Sequence, residues 1–411
     1  MNKRTLLALT AAAGTLPTGL VAAYLAGAAP HAHATVQTAP APQADVRAAS
    51  PAPPLFPPVR EAAVVDAADA FLAMLSPQQR AVAQIPLTPQ NAARWSNFPA
   101  AVVPRNGVYF RDMTPAQEAA ALKVARLALS KEGLARMQEI RATDDAFAKL
   151  DRGPGGGPGG RGRGGFGGPP PGGFGGPGGP GGPPGGFGGP GGPPPGGFGG
   201  PGGNLFGHGN YIIAFLGQPS KTTPWLLQLG GHHLAFNIYY KGTAGAATPY
   251  FVGVQPNVWK DASGRTHTPL APMRDALYGL LHSLTPEQLT RARLDASFSD
   301  VYVGPGRDGQ FPAHEGVPVS ALSAASKNWV KQAIAAWTGD SAQGATYQKL
   351  YYTELNRTKV AWSGATALDT EGDYARIDGP HVWIEFCCQG SDHYHTIWRD
   401  RATDYGTEFR F

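Results

Sequence analysis

The pattern of apolar and polar positions divides the chain into a helical first block and a later block that mixes strands with helices. Between residues 61 and 150, apolar side chains recur every three or four positions, as in "VREAAVVDAADAFLAML", which is the spacing of an amphipathic helix. Ser76-Pro77 and Thr114-Pro115 each predict a helix start, because proline fits the first helical turn. From residue 204 onward, runs such as "NYIIAFLG" and "HVWIEFCC" predict strands.

The order of these elements indicates the fold class. Helices come first, strands dominate later, and two further helical stretches, "APMRDALYGLLHSL" and "SALSAASKNWVKQAIAAW", separate two groups of strands. This arrangement is typical of the α+β class. We therefore predict a helical N-terminal block packed on a largely antiparallel β-sheet, in a single domain over residues 61–411.

One segment of unusual composition interrupts that domain at residues 152–203. From Gly153 to Gly203 the chain contains only Gly, Pro, four Phe and two Arg, and it holds 31 of the 57 glycines. Glycine loses the most entropy on ordering and proline removes backbone donors, so the segment has little to pack and little reason to order. The sequence predicts a disordered insertion.

The N-terminal residues have the layout of an export signal. Lys3 and Arg4 precede an alanine-rich apolar stretch, and "AHA" at residues 32–34 fits a small-x-small cleavage site. We predict a signal peptide over residues 1–34 and an Ala/Pro-rich linker over residues 35–60; the alternative is a retained N-terminal anchor. The expected location is secreted or periplasmic, within the cell envelope, with no transmembrane helix in the mature chain.

Net charge argues against a nucleic-acid partner. The formal charge of the whole chain is +5, but four of the cations are Lys3, Arg4, Arg161 and Arg163, which lie in the signal region and the insertion. Removing these four leaves about +1 for the rest of the chain, which lacks the basic surface that nucleic-acid binding requires. We expect no nucleic-acid partner.

The only two cysteines, Cys387 and Cys388, are adjacent and therefore cannot link distant parts of the fold. Two interpretations stay open. They are small apolar strand residues that face opposite sides of a sheet, or they form a strained vicinal disulfide in an oxidising compartment.

Two histidine pairs are the strongest candidates for chemistry. In "SDHYHTIWRD", His393 and His395 lie two residues apart in a predicted strand, so their rings share a face. In "GGHHLAFN", His232 and His233 would face opposite sides of a regular strand unless a bulge at Gly230-Gly231 rotates them. Imidazole nitrogen suits zinc, copper and iron. We predict that these four histidines include the ligands of one divalent metal ion, Zn, Cu or Fe, with His233 favoured over His232.

Glu385 and Arg399 are the candidate catalytic residues. Glu385 belongs to the predicted strand "HVWIEFC" and is interpreted as a general base, a ligand or a partner for a ligand's ring N–H. Arg399 is a candidate for binding an anionic substrate group. An Arg–Asp network with Asp404 that fixes the C-terminus is the alternative for Arg399.

Three segments together resemble a known family. "PWLLQLGGHHLAFN", "TPYFVGVQP" and "GPHVWIEFCCQGSDHYHTIWRDRATDYG" are similar to the motifs of the bacterial and fungal family called domain of unknown function 3500. The resemblance covers residues of about 60–150 and 204–411. It implies one domain and a shared site built from both histidine pairs, and it brings no established activity.

Two hypotheses about function follow from these observations. The preferred one is a metal-dependent enzyme with a histidine-rich site that acts on an unidentified small or polymeric ligand. The alternative is a non-catalytic envelope protein that binds its ligand in a polar histidine pocket.

Overall fold

The computed structural model describes residues 58–100, 102–151, 205–406 and 408–409. The predicted signal region over residues 1–34 and the insertion over residues 152–203 lie outside the described residues. The same holds for nearly all of the linker over residues 35–60.

Helices in the described ranges often begin at a residue whose side chain caps the first turn. Ser76, Thr114 and Thr285 each accept a hydrogen bond from the third helical residue, and the glutamine at that position bonds back to the N–H of the cap. The helix starts predicted at Ser76-Pro77 and Thr114-Pro115 are confirmed. The α-helices are α1 (Pro58–Ala73), α2 (Pro77–Ala83), α3 (Pro89–Ala92), α4 (Pro115–Ala128), α5 (Lys131–Asp151), α6 (Ala271–His282), α7 (Pro286–Ala292), α8 (Ala324–Thr338) and α9 (Gly344–Thr353).

Fourteen strands lie in the same ranges. They are β1 (Gln84–Ile85), β2 (Val108–Tyr109), β3 (Ile212–Leu216), β4 (Trp225–Gly231), β5 (Leu234–Lys241), β6 (Ala244–Ala246), β7 (Tyr250–Val254), β8 (Trp259–Lys260), β9 (Thr266–His267), β10 (Val317–Pro318), β11 (Lys359–Ser363), β12 (Tyr374–Asp378), β13 (Val382–Gly390) and β14 (His393–Asp400).

Twelve of these strands form one sheet, in the order β1-β3-β4-β5-β7-β14-β13-β12-β11-β10, with β2 beside β3 and β6 beside β5. The described pairings in this sheet are antiparallel except for β1 with β3. The predicted α+β fold with a largely antiparallel sheet is confirmed. Strands β5, β7 and β14 are neighbours at its centre, which brings the two histidine-containing segments together although they are far apart in sequence.

The two faces of the sheet are covered differently. On one face, a large apolar cluster joins strand residues such as Trp398 to helices α1, α4, α6, α8 and α9. On the other, a smaller cluster that includes Phe251 and Ile397 is covered mainly by loop residues such as Trp95 and Val301. The histidines lie toward this loop-covered face, since the ring of His395 packs 5.3 Å from that of Phe251.

Cys387 and Cys388 are both buried free thiols. Cys387 belongs to the smaller cluster and Cys388 to the larger one, so the two side chains face opposite sides of β13, as the first of the two interpretations predicted.

Within the described ranges, none of the helices combines the length and the apolar character that a membrane crossing requires.

Candidate metal centre

The first histidine pair forms the turn between β4 and β5. Gly231 and Leu234 are the last paired residues of the hairpin, so His232 and His233 are the two residues that connect the strands. His233 has a positive φ of 59°, in the left-handed region that non-glycine residues seldom occupy. The expectation of a regular strand through these residues, with rings on opposite sides, was wrong. The turn instead stacks the two imidazoles, with ring centroids 3.7 Å apart.

The second pair lies on β14, where strand geometry fixes its direction. His393 is the first and His395 the third residue of β14, which lies between β13 and β7. Both side chains are buried. Side chains two residues apart point to the same face of a sheet. Gly253 of β7 is the direct partner of His395, and its N–H donates to the carbonyl oxygen of His233 at 2.8 Å. Strand β7 therefore bridges the two histidine segments.

Three of the four imidazoles converge. The Nε2 atom of His393 lies 2.9 Å from Nε2 of His233 and 3.0 Å from Nε2 of His395. One ring nitrogen from each of the three lies within 4.8 Å of the other two, and all three residues are buried. Tetrahedral zinc–nitrogen bonds of about 2.0–2.1 Å would place two ligand nitrogens about 3.3 Å apart. The nitrogen spacing is therefore close to that of a three-histidine metal site.

The environment disfavours protonation of two of these rings, those of His233 and His393. Burial, reinforced by the neighbouring imidazoles His232, His393 and His395, holds the pKa of His233 well below its usual value of 6.5. Burial and the nearby His395 and His232 lower the pKa of His393 in the same way. A neutral imidazole is the form that binds a metal ion, so burial favours the ligand state of His233 and His393.

A carboxylate orients His395. Its Nδ1 atom lies 2.8 Å from Oδ1 of Asp300, so Nδ1 carries the proton and donates it to the carboxylate. The lone pair of that ring then lies on Nε2, the atom that faces the other two histidines. Asn97 Nδ2 lies 3.5 Å from the same Nδ1, but two donors do not bond each other, and we assign the hydrogen bond to Asp300. A carboxylate behind a ligating histidine is a common feature of metal sites.

His232 is turned away from the group of three. Its Nδ1 atom lies 2.6 Å from Oδ1 of the buried Asp144 on α5. The carbonyl oxygen of His232 accepts a hydrogen bond from the hydroxyl of Tyr211 at 2.7 Å. The residue thus lies beside the candidate centre, stacked on His233, and its ring is fixed by Asp144 from the helical block.

Comparison with known proteins places the chain in a family. The sequence profile described as "Protein of unknown function (DUF3500)" matches residues 58–407. The chain belongs to the DUF3500 family. The resemblance inferred from the sequence motifs is therefore confirmed. No curated protein and no solved structure matches the chain.

Glu385 and Arg399 of this DUF3500 protein lie on the same loop-covered face but do not join the group of histidines. Glu385 is fully buried and accepts hydrogen bonds from Trp383 Nε1 at 2.6 Å and the hydroxyl of Tyr374 at 2.9 Å. Arg399 is also fully buried and pairs with Asp404 at 2.9 Å, as the Arg–Asp network predicted. The catalytic role assigned to the two residues from sequence stays a prediction.

The two acidic partners, Asp144 and Asp300, were missed by reasoning from the DUF3500 sequence. Asp144 lies in a long helix and Asp300 in a loop, and each is about 90 residues from its histidine, with separations of 88 and 95. For Asp144 the sequence offered only the pair "DD" at positions 144 and 145 of a predicted helix; neighbouring helix residues point about 100° apart, which does not tell whether either faces the core. No local pattern marked Asp300.

Proposed function

We propose that this DUF3500 protein is a metal-dependent enzyme whose single divalent ion is held by Nε2 of His233, His393 and His395. The observation that carries the proposal is the convergence of these three buried nitrogens. The Nε2 atom of His393 lies 2.9 Å from that of His233 and 3.0 Å from that of His395. Imidazole ligands suit zinc, copper and iron.

The number of ligands favours a reactive centre over a structural one. Structural zinc sites are usually closed by four protein ligands, whereas catalytic sites use three and keep a position for water or substrate. The group within bonding reach in the described residues contains three histidines and no fourth His, Cys, Asp or Glu. A bound ion would polarise a substrate oxygen or activate a water molecule, which supports hydrolytic or oxidative chemistry.

The residues around the three histidines support this assignment electrostatically. Asp300 accepts the Nδ1 proton of His395 and directs its Nε2 lone pair toward the centre. Asp144 holds His232 beside His233. Each carboxylate lies near a site that would receive a dication, and Asp300, as the outer partner of a proposed ligand, raises the basicity of the His395 ring.

We also propose that the enzyme acts outside the cytoplasm, in the cell envelope or the surrounding medium. The support is the sequence of residues 1–34, with its basic start, apolar stretch and "AHA" cleavage motif.

Metal analysis of the purified protein tests the proposal. Protein prepared without chelators should contain close to one equivalent of Zn, Cu or Fe per chain. The variant His393→Ala/His395→Ala should lose that metal. His282→Ala is the matched control, because His282 is exposed on α6 and contacts Tyr278, and this variant should keep the metal. A wild-type chain that contains no metal and takes up none of the three added ions would refute the proposal.

One observation favours the alternative of a non-catalytic ligand-binding protein. The Nε2 atom of His393 already lies at hydrogen-bonding distance from the Nε2 atoms of His233 and His395, so neutral rings can hydrogen-bond to one another without an ion. In that case the histidines would form a polar pocket for a small or polymeric ligand. The same metal analysis separates the two functions, since a polar pocket needs no bound ion.

A further inference from the structure

The loop over residues 298–311 lies on the loop-covered face of the sheet and contacts the histidine centre. It lies between α7 and β10 and contains no helix or strand of its own. Asp300, the carboxylate that accepts from His395, belongs to this loop. Its side chain is 41% exposed, so surrounding side chains do not enclose it. Its position must therefore come from how the loop backbone is held.

Glu385, on β13, fixes the backbone of this loop. Its carboxylate accepts hydrogen bonds from two consecutive backbone N–H groups, those of Tyr302 and Val303, the latter at 2.8 Å. Its other two partners, Trp383 and Tyr374, belong to the sheet. The buried carboxylate is thus fully occupied, and two of its four bonds fix the backbone only two and three residues after Asp300.

Arg399 holds the next two peptide groups from the same side. Its Nε donates to the carbonyl oxygen of Val303 at 2.7 Å, and its Nη2 donates to that of Gly304 at 3.2 Å. Its Nη1 donates to Asp308, in the same loop, and to Asp404, both at 2.9 Å. The N–H groups of Tyr302 and Val303 and the carbonyl groups of Val303 and Gly304 are therefore all bonded to side chains of sheet residues.

Asp300 connects the fixed loop backbone to the histidines through two hydrogen bonds. Its Oδ1 accepts from the N–H of Val301 at 2.7 Å and from Nδ1 of His395 at 2.8 Å. The first bond ties the side chain to the loop backbone, and the second ties it to the ring. The path from Glu385 to Nε2 of His395 therefore runs through the backbone at Val301–Val303 and the carboxylate of Asp300.

We infer that Glu385 and Arg399 are positioning residues of the histidine centre: by fixing the 298–311 loop they place Asp300, which sets the tautomer and orientation of His395. This inference rests on the proposed function for its metal-binding consequence, and it differs from the catalytic roles that the sequence suggested. Both side chains are fully buried and hydrogen-bonded within the fold, which keeps them from contact with a substrate.

Metal affinity in a double-mutant cycle tests the inference. Glu385→Gln keeps the shape but turns an amide N–H₂ toward donors, and Asp300→Ala removes the carboxylate. Each should weaken the affinity for zinc, measured by chelator competition, by about 10–100-fold, the usual cost of losing an outer partner. If Glu385 acts through Asp300, the double variant should lose no more zinc affinity than the more affected of the two single variants. Additive losses, or an affinity for Glu385→Gln within about twofold of wild type, would overturn the inference.

Two further variants keep the test specific. Glu354→Gln is the matched control, since Glu354 is also a buried carboxylate but bonds His381 and Arg357; it should leave zinc affinity unchanged. Should Glu385→Gln fail to fold, Tyr374→Phe removes one bond to the same carboxylate and should weaken zinc binding in the same direction by a smaller factor. An unchanged affinity in a folded Tyr374→Phe variant would then count against the inference.

A second readout works without metal. In the metal-free protein, the Nδ1 proton of His395 should give a protected NMR resonance, assigned by its loss in His395→Ala. It should disappear in Glu385→Gln and persist in Glu354→Gln. If the wild-type protein binds none of zinc, copper and iron, the proposed function fails, and this resonance alone judges the positioning role. A resonance retained in Glu385→Gln would refute that role whether or not metal binds.

Discussion

Gly253 offers the most direct test of the histidine geometry. It lies in β7 between the two histidine segments, paired with His395 and bonded to the carbonyl oxygen of His233. A Cβ atom added there would lie 2.9 Å from Cδ2 of His233 and 2.9 Å from Cδ2 of His395. Gly253 does not have a positive φ, so alanine can adopt its backbone conformation. The perturbation is therefore steric.

The size of the effect follows from these distances. Carbon atoms in ordinary contact are about 3.5–4.0 Å apart, so either the rings or the β7 backbone between them must move by about 0.5 Å or more. Ligand positions in a metal site are tolerated only within about 0.2 Å. Gly253→Ala should therefore weaken zinc binding by at least about tenfold. Overpacking of this kind should also lower the free energy of unfolding of the metal-free chain by about 1–3 kcal/mol.

Denaturant unfolding with and without zinc measures both effects. At a zinc concentration about 100 times the wild-type dissociation constant, bound metal should stabilise the wild type by about 2.7 kcal/mol. The same concentration should stabilise Gly253→Ala by about 1.4 kcal/mol or less, if its dissociation constant is at least tenfold higher.

Gly390→Ala provides the matched control. Gly390 precedes the β13–β14 turn, and an added Cβ would make only ordinary contacts, 3.7 Å from Asp392 Oδ1 and 3.9 Å from His393 Cβ. This variant should bind zinc like the wild type. Equal zinc stabilisation of Gly253→Ala and wild type would show that the rings do not need the positions described here, and the geometric reasoning would be refuted.

Three further predictions concern pH, the insertion and export. Because burial lowers the pKa of His233 and His393 below 6.5, these two rings bind fewer protons in the folded metal-free chain than in the unfolded chain below that pH. His393→Gln removes one of them, so the stability of this variant relative to the wild type should rise as the pH drops from about 7.5 to 5.5; a pH-independent difference in urea unfolding would contradict this. Replacing residues 153–203 by a short Gly/Ser linker should change the free energy of unfolding by less than about 1 kcal/mol, and loss of folding would show that the segment is structural. N-terminal sequencing of protein recovered from the cell envelope should begin near Thr35, whereas intact Met1 in the cytosolic fraction would exclude cleavage.

The sequence by itself determined the elements and the residue types of the site. Helical spacing and the Ser76-Pro77 start identified the first helices, because these signals are local to a few residues. The alternation along β14 placed His393 and His395 on one face, because strand side chains repeat every two residues. The histidine pairs marked four residues, and they include the three that the structure groups together, His233, His393 and His395.

Only the tertiary structure decided how those residues are arranged. The turn at His232-His233 depends on the register of β4 with β5, and a left-handed φ at a histidine has no local sequence signal. Asp144 and Asp300 reach their histidines across 88 and 95 residues, and Glu385 meets the backbone of a loop more than 80 residues away. Such contacts are set by the packing of the loop and the helical block on the sheet, which periodicity along the chain does not encode.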